Sequence, residues 1–176
     1  MQTAIDLRYT LEDWRNWEGS WELIQGFPIA MSPSPTPVHQ YVATKIIRYL
    51  DEQLETCEAK CYVLQDLDWI ISSDTVVRPD VMVVCDDIQN TITRPPEVIF
   101  EIVSEKNAST DERYKFELYQ KEGVRYYVLC YPALKKAKVY RWRNGKYIKE
   151  GDFREEIFRF ETSCSLSLEF KKIWFK

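Results

Sequence analysis

No apolar run in this sequence approaches the length of a membrane span, and the N-terminus carries Asp6, Arg8, Glu12, Asp13 and Arg15 where a signal peptide would have its apolar core. The expected location is the cytoplasm, with no membrane partner. Basic residues are also in deficit: 24 Lys and Arg against 28 Asp and Glu leave a net charge of −4. That balance excludes a polybasic protein that holds nucleic acid by bulk electrostatics, so any contact with DNA or RNA must be local. Cysteines number five, an odd count at low density. The one close pair, Cys57 and Cys61, lacks a second pair or a nearby histidine, and Cys85 and Cys130 sit inside apolar runs. Reduced thiols in a reducing compartment, with no structural zinc, are the expectation. Internal repeats and low-complexity linkers are missing too, so the chain reads as one domain over residues 1–176.

The content that remains is rich in apolar and aromatic residues, 45% and 14%, enough for a sizeable core. Ser20 to Ile24 and Phe27 to Met31 flank Gln25-Gly26 at hairpin spacing. Met31 to Pro37, with its alternating prolines, is a connection. Thr36 then caps and Pro37 starts a helix with Val38, Val42, Ile46, Tyr49 and Leu50 at three- and four-residue intervals, predicted to end near Glu55. Cys61 to Leu64, Leu67 to Ile71, Val81 to Cys85 and Val98 to Val103 read as strands. Ser109 and Glu112 form a capping-box pattern for a second helix that Gly123 terminates. Val124 to Tyr131 is again a strand, and Asn144-Gly145 joins two more, Val139 to Arg143 and Lys146 to Lys149. Ile157, Phe160, Leu166, Leu168 and Phe170 indicate further edge strands. The order predicts an α/β (mixed α+β) fold: a mixed sheet flanked by helices, with an N-terminal β-hairpin and C-terminal hairpin additions.

One residue breaks this pattern. Glu101 stands in the middle of Val98-Ile99-Phe100-Glu101-Ile102-Val103, a run that reads as buried on both faces. An ionised carboxylate there without a partner costs several kcal/mol, so it must be paired, protonated or bound to a metal. Asp80, after Arg78-Pro79 and before Val81-Met82-Val83-Val84, stands at the mouth of another apolar strand. Taken alone it is a turn residue. If the two strands pair, Asp80 and Glu101 converge on one hard divalent cation, which needs only one or two carboxylates beside water and phosphate. A cation to orient a nucleophile or offset developing charge is then required. Lys115 is the candidate, sharing a helix face with Asp111 and Tyr119 at four-residue spacing, and Lys106 in the intervening loop is a rival. The plainer reading of Lys115 is a solvated residue paired with Asp111. Glu22, inside Trp21-Glu22-Leu23-Ile24, is either a solvent-facing strand residue or a third metal ligand. His39, the sole histidine, lies off the apolar stripe of its helix, where it is either a satisfied side chain or a group that meets a phosphate or relays a proton.

These residues, in this order, resemble the bacterial restriction-endonuclease family of the PD-(D/E)xK superfamily, formerly a domain of unknown function. The resemblance runs roughly from Trp14 to Pro132. It rests on Trp21 to Gly26, on Met31-Ser32-Pro33 followed by His39, on Arg78-Pro79-Asp80-Val81, on Pro95 to Ser104, and on Asp111, Lys115, Tyr119, Gly123-Val124 and Tyr126 to Leu129. It implies a restriction-endonuclease-like core and Mg²⁺-dependent hydrolysis of phosphodiester bonds, with Mn²⁺ able to substitute, DNA as the expected substrate, and Asp80 and Glu101 as the metal-binding acids. In the usual E-x-K the lysine would fall at position 103, where this chain has Val103; Lys115 looks like the migrated replacement. Glu105-Lys106 and Cys130-Tyr131 also depart from the family's Pro-Ser and Val-Asp. Arg78, Arg94, Lys106 and Arg113 fall near the site in sequence and would make a locally basic cleft. A homodimer is compatible with this reading, since cutting both strands of a duplex is simplest with two sites. Two readings compete: an inactive nucleic-acid- or protein-binding module that keeps the fold, and a structural oligomer with Trp142, Trp174 and Phe175 exposed.

Overall fold

In the computed structural model, which describes residues 7–32 and 34–176, the chain folds around three sheets. Asp6 and Pro33, both used in the sequence reading, lie outside the described residues. A short helix, α1 (Leu11–Arg15), begins at a capping box between Thr10 and Asp13. The hairpin of β1 (Trp21–Ile24) and β2 (Phe27–Ala30) turns at Gln25 and Gly26, both at positive φ (52° and 81°), as a tight two-residue turn requires. Helix α2 (Pro37–Leu54) starts as its sequence predicts: the Thr36 hydroxyl accepts from the His39 backbone N–H, and Pro37 occupies the first turn, where its missing N–H is harmless. Its buried stripe is Val42, Ala43, Ile46, Leu50 and Leu54.

Eight strands follow in chain order before the last hairpin: β3 (Cys61–Gln65), β4 (Trp69–Ser72), β5 (Thr75–Val77), β6 (Val81–Cys85), β7 (Val98–Ile102), β8 (Tyr126–Tyr131), β9 (Lys136–Arg143) and β10 (Lys146–Phe153). Helix α3 (Phe116–Glu122) lies between β7 and β8, and β11 (Ile157–Phe160) pairs with β12 (Leu166–Glu169). The main sheet has the order β10-β9-β8-β7-β6-β3 and is antiparallel throughout except for β7 beside β8. That single parallel pair follows from α3: two parallel neighbours need a crossover, and the helix is the crossover. A second sheet, β2-β1-β5-β4, faces it. Alternation along the central strands divides the core. Val81, Val83, Phe100, Ile102 and Val128 pack with α2 and the β11–β12 hairpin. Met82, Val84, Ile99 and Leu129 pack with Ile24, Trp69, Val77 and α3 on the other face.

Four expectations need correction. β5 was not foreseen, because three residues abutting Arg78-Pro79 are too short to show a period. The Ser109–Glu112 capping box does not form: Ser109 is already helical (φ −61°, ψ −39°), with no side-chain cap. The chain turns earlier, where Asn107 Oδ1 accepts from the backbone N–H and the hydroxyl of Ser104. The cysteines are not all reduced thiols, since Cys57 joins Cys164 and Cys61 joins Cys85 in disulfides, leaving Cys130 as the free thiol among the described residues. Sequence separations of 107 and 24 residues hid both pairings, the second of which spans facing ends of β3 and β6. Trp174 is buried, donating its indole N–H to the Arg154 carbonyl, whereas Trp142 and Phe175 are exposed. No helix among the described residues is long and apolar enough to cross a membrane.

Leu50 is fully buried where α2 packs on the sheet. Leu50→Ala should lower stability by about 2–5 kcal/mol with an unchanged denaturant slope, measured by urea unfolding; an unmoved midpoint would contradict this packing.

Candidate active site

The register of β6 and β7 decides the geometry. Val81 pairs with Phe100, so the same ladder carried one residue further sets Asp80 opposite Glu101 on one face of the sheet. The contacts agree: the Ile102 N–H donates to Asp80 Oδ2 at 2.6 Å, and the Asp80 N–H donates to Glu101 Oε2 at 3.4 Å. Glu101 alternates with Phe100 and Ile102 and therefore faces the second sheet and α3, where it is 1% exposed. Glu22 reaches the same place from β1, buried at 4%, because its strand neighbours Leu23 and Ile24 are also covered. It is not a solvent-facing strand residue.

Lys115 is the hub. It closes a π-helical turn (Thr110–Lys115) that runs into α3, and such a turn re-aims side chains relative to a plain α-helix. Its ammonium lies 2.9 Å from Glu22 Oε1, 3.0 Å from Glu101 Oε1 and 3.7 Å from Asp111 Oδ1, and the residue is 4% exposed. The plain pairing of a solvated lysine with Asp111 is thus excluded. Tyr119, one turn further on, donates its hydroxyl to Glu101 Oε1 at 2.9 Å, and the Arg78 N–H donates to Glu22 Oε1 at 2.7 Å. His39 Nε2 sits 3.1 Å from Asp80 Oδ1, with the two side chains 18% and 15% exposed, so solvent reaches the cluster at this pair. Three buried side-chain atoms have no hydrogen-bond partner among the described residues: His39 Nδ1 and Asp111 Oδ2 in the cluster, and Trp69 Nε1.

The electrostatics are those of an acidic pocket short of positive charge. Burial pushes the Glu101 carboxyl well above the usual carboxylate range; Lys115 opposes this, while Asp111, Asp80 and Glu22 add to it. Asp111 is raised to about 7 by burial, again against the pull of Lys115. For Lys115 burial disfavours the charge, but Glu101, Glu22 and Asp111 outweigh it and hold the proton tightly. His39 is shifted upward although burial opposes this, because Asp80 stabilises the imidazolium. Sequence reasoning missed Asp66, which adopts φ 48° in the turn after β3, donates its N–H to the Asp80 carbonyl and is raised by burial and by Asp80. Its only sequence signal was a non-glycine acid in a tight polar turn.

The basic residues named from sequence fare differently. Lys106 is exposed in the turn after β7 and has no ion-pair partner among the described residues, so it is not the ammonium beside the acids. Arg94 pairs with Asp86 just beyond the far end of β6, a strand length of roughly 17 Å from Asp80. Arg113 lies over the ring of Tyr114, and the Arg78 guanidinium is held by Asp68 at 2.8 Å. Among the described residues no three His, Cys, Asp or Glu side chains are gathered as a ready ligand set. A magnesium-sized ion needs fewer, because it keeps water and substrate oxygens for its other positions. Hard carboxylate donors, three acids around one ammonium with Asp80 beside them, and the unpartnered Asp111 Oδ2 make the residues fit such an ion.

A mixed sheet whose adjacent strand ends bring an Asp and a Glu together, with a lysine from the helix that follows, is a restriction-endonuclease-like fold. The chain belongs to the Uma2 family, described as "Putative restriction endonuclease", whose profile matches residues 8–174. A solved structure described as a putative nuclease belonging to DUF820, from Anabaena variabilis ATCC 29413, superposes with a TM-score of 0.78 at 19% identity, over 94% of this chain and 97% of that one. No curated protein matches the chain.

The raised Asp111 carboxyl fixes the sign of a pH effect. Between about pH 4, where an unfolded Asp releases its proton, and about pH 7, the folded protein holds a proton that the unfolded chain has lost. Without divalent metal, stability should therefore fall as pH rises through this window, with Glu101 acting in the same direction. Urea unfolding across that range should show the decline in the wild type and a shallower one in Asp111→Asn; equal slopes would contradict the assignment. Lys115→Met leaves Glu22 and Glu101 without their cation, so it should cost about 3–5 kcal/mol at neutral pH in the same assay.

Proposed function

We propose that the protein is a divalent-metal-dependent endonuclease that hydrolyses phosphodiester bonds of nucleic acid, with DNA as the substrate. The observation that carries this reading is the gathering of Glu22, Glu101 and Asp111 around a single buried ammonium, with Asp80 against Glu101 where β6 begins and β7 ends. Asp80 and Glu101, backed by Glu22, would hold Mg²⁺ or Mn²⁺. When bound, the ion supplies a water of lowered pKa and neutralises charge on the phosphate.

The chain's own residues supply the rest. Lys115, fixed 3.0 Å from Glu101, is a preorganised positive charge beside the place where the phosphate gathers negative charge. Glu22 holds that ammonium in position and ties down the Arg78 backbone that precedes Asp80. Tyr119 fixes one oxygen of Glu101, leaving the other directed at Asp80. His39 stands at the solvent-reached side, placed to meet a phosphate oxygen or to pass a proton. Water attacks phosphorus in line, the P–O bond to the leaving sugar oxygen breaks, and that oxygen takes up a proton. Two copies in a homodimer would present one such site to each strand of a duplex.

The test is cleavage of supercoiled plasmid, single-stranded DNA and RNA in Mg²⁺ or Mn²⁺ by the wild type, Asp80→Asn and Glu101→Gln. Loss of an ion worth several kcal/mol should lower the rate of either variant by more than about a hundredfold. Mn²⁺ should raise the melting temperature of the wild type but not that of Asp80→Asn. Undiminished cleavage by Glu101→Gln would contradict the site. A folded wild type that neither cleaves nor responds to metal would favour the binding-module reading.

A further inference from the structure

The end of the sheet that carries Glu101 also carries an unusual cation. In the ladder, Glu101 pairs with Leu129 of β8, and Leu129 pairs with Lys138 of β9. Lys138 is therefore in the same row and on the same face as Glu101, two strands away, about 10 Å at the usual strand spacing. Its ammonium lies 4.9 Å from the centre of the Tyr131 ring, at the last position of β8, so the side chain runs toward the end of the sheet where Glu101 and Asp80 meet. Asp152 is its direct cross-strand partner, yet that carboxylate is taken by Lys149 at 2.7 Å and Lys136 at 3.7 Å. Three lysines thus face one carboxylate, and Lys138 is held by an aromatic face rather than by an acid. Tyr131 in turn donates its hydroxyl to Glu112, in the same π-helical turn that supplies Asp111 and Lys115. The cation and the acidic cluster are therefore braced by one element.

Resting on the nuclease reading, we propose that Lys138, seated on Tyr131, binds a backbone phosphate of the nucleic acid about three nucleotides from the scissile one and sets the direction in which the strand crosses the site. The chemistry suits it. A compact ammonium takes a phosphate as a point charge, and one held only by a ring has no carboxylate to give up when the phosphate arrives. The reach also fits: charges on a strand recur about every 3.4 Å along a duplex axis, so 10 Å amounts to roughly three nucleotides. The π-helical turn spans the buried Leu129 between the two positions, because Tyr127 on one side of it donates to the Asp111 carbonyl and Tyr131 on the other donates to Glu112. The strand must then pass over the end of the sheet, past the exposed turn that carries Lys106.

The test is the salt dependence of binding to a labelled duplex in Ca²⁺, read by fluorescence anisotropy, for the wild type, Lys138→Gln, Lys138→Arg and Lys60→Gln. Lys60, paired with Asp87 beyond the far end of β6, is the control. Lys138→Gln should bind more weakly and lower the slope of log affinity against log salt by about one unit, the loss of one phosphate contact. Lys138→Arg should keep the slope, and Lys60→Gln should match the wild type. In cleavage, Lys138→Gln should raise KM several-fold with kcat little changed. Wild-type binding and cleavage with an unaltered slope in Lys138→Gln would overturn this proposal and leave the nuclease intact. A wild type that neither binds nor cleaves would end both. Equal melting temperatures for Lys138→Gln and the wild type would exclude a purely structural role.

Discussion

Everything at the acidic cluster of this chain turns on one buried ammonium. Lys115 is the sole full cation touching Glu22, Glu101 and Asp111 among the described residues, and three elements distant in sequence are drawn together by it. Three carboxylates around one lysine are not neutral. Burial pushes the Glu101 and Asp111 carboxyls upward against the pull of Lys115, and these acids hold the Lys115 proton against its own burial. A buried cluster of this kind is poor as a stabilising device, because apolar residues of similar size would fold more tightly. What it offers is a place where added positive charge is welcome.

The fold serves that place by alternation and register. Because β6 and β7 run antiparallel, the first residue outside one strand faces the last turn-ward acid of the other, so Asp80 and Glu101 meet without any loop having to be ordered. Because β7 and β8 run parallel, the chain must cross over, and the crossover delivers Lys115 and Tyr119 onto Glu101. The N-terminal hairpin closes the pocket from the opposite sheet with Glu22, and α2 brings His39 to its open side. Helix capping at Thr36 and the turn at Gln25-Gly26 thus have a consequence for chemistry: the cap fixes the first turn of α2, which carries His39, and the turn fixes the hairpin whose first strand carries Glu22.

Much of this was legible in the sequence, because the strongest signals are local. The hairpins at Gln25-Gly26 and Asn144-Gly145, the capped helix after Thr36, and a glutamate inside an apolar strand all announce themselves within a few residues. The convergence of Asp80 with Glu101 needed only the assumption that two apolar strands pair. Other features depend on long-range packing and left no local trace. Thr75–Val77 is too short for a period, Ser109 fails as a cap because helical backbone begins before it, and the pairing of Cys57 with Cys164 joins α2's end to a distant hairpin. Arg94 illustrates the same limit, since a cation close in sequence to Glu101 stands at the opposite end of β6. Asp66 and Lys138 were invisible for a related reason: their place beside the cluster comes from strand order, not from spacing.

The central claim is that Asp80 and Glu101 share one divalent ion. Anomalous scattering from crystals grown with Mn²⁺ tests it most directly. The account predicts a single strong peak between these two carboxylates, lost in crystals of Asp80→Asn. A peak elsewhere in the molecule, or none at saturating Mn²⁺, would contradict it.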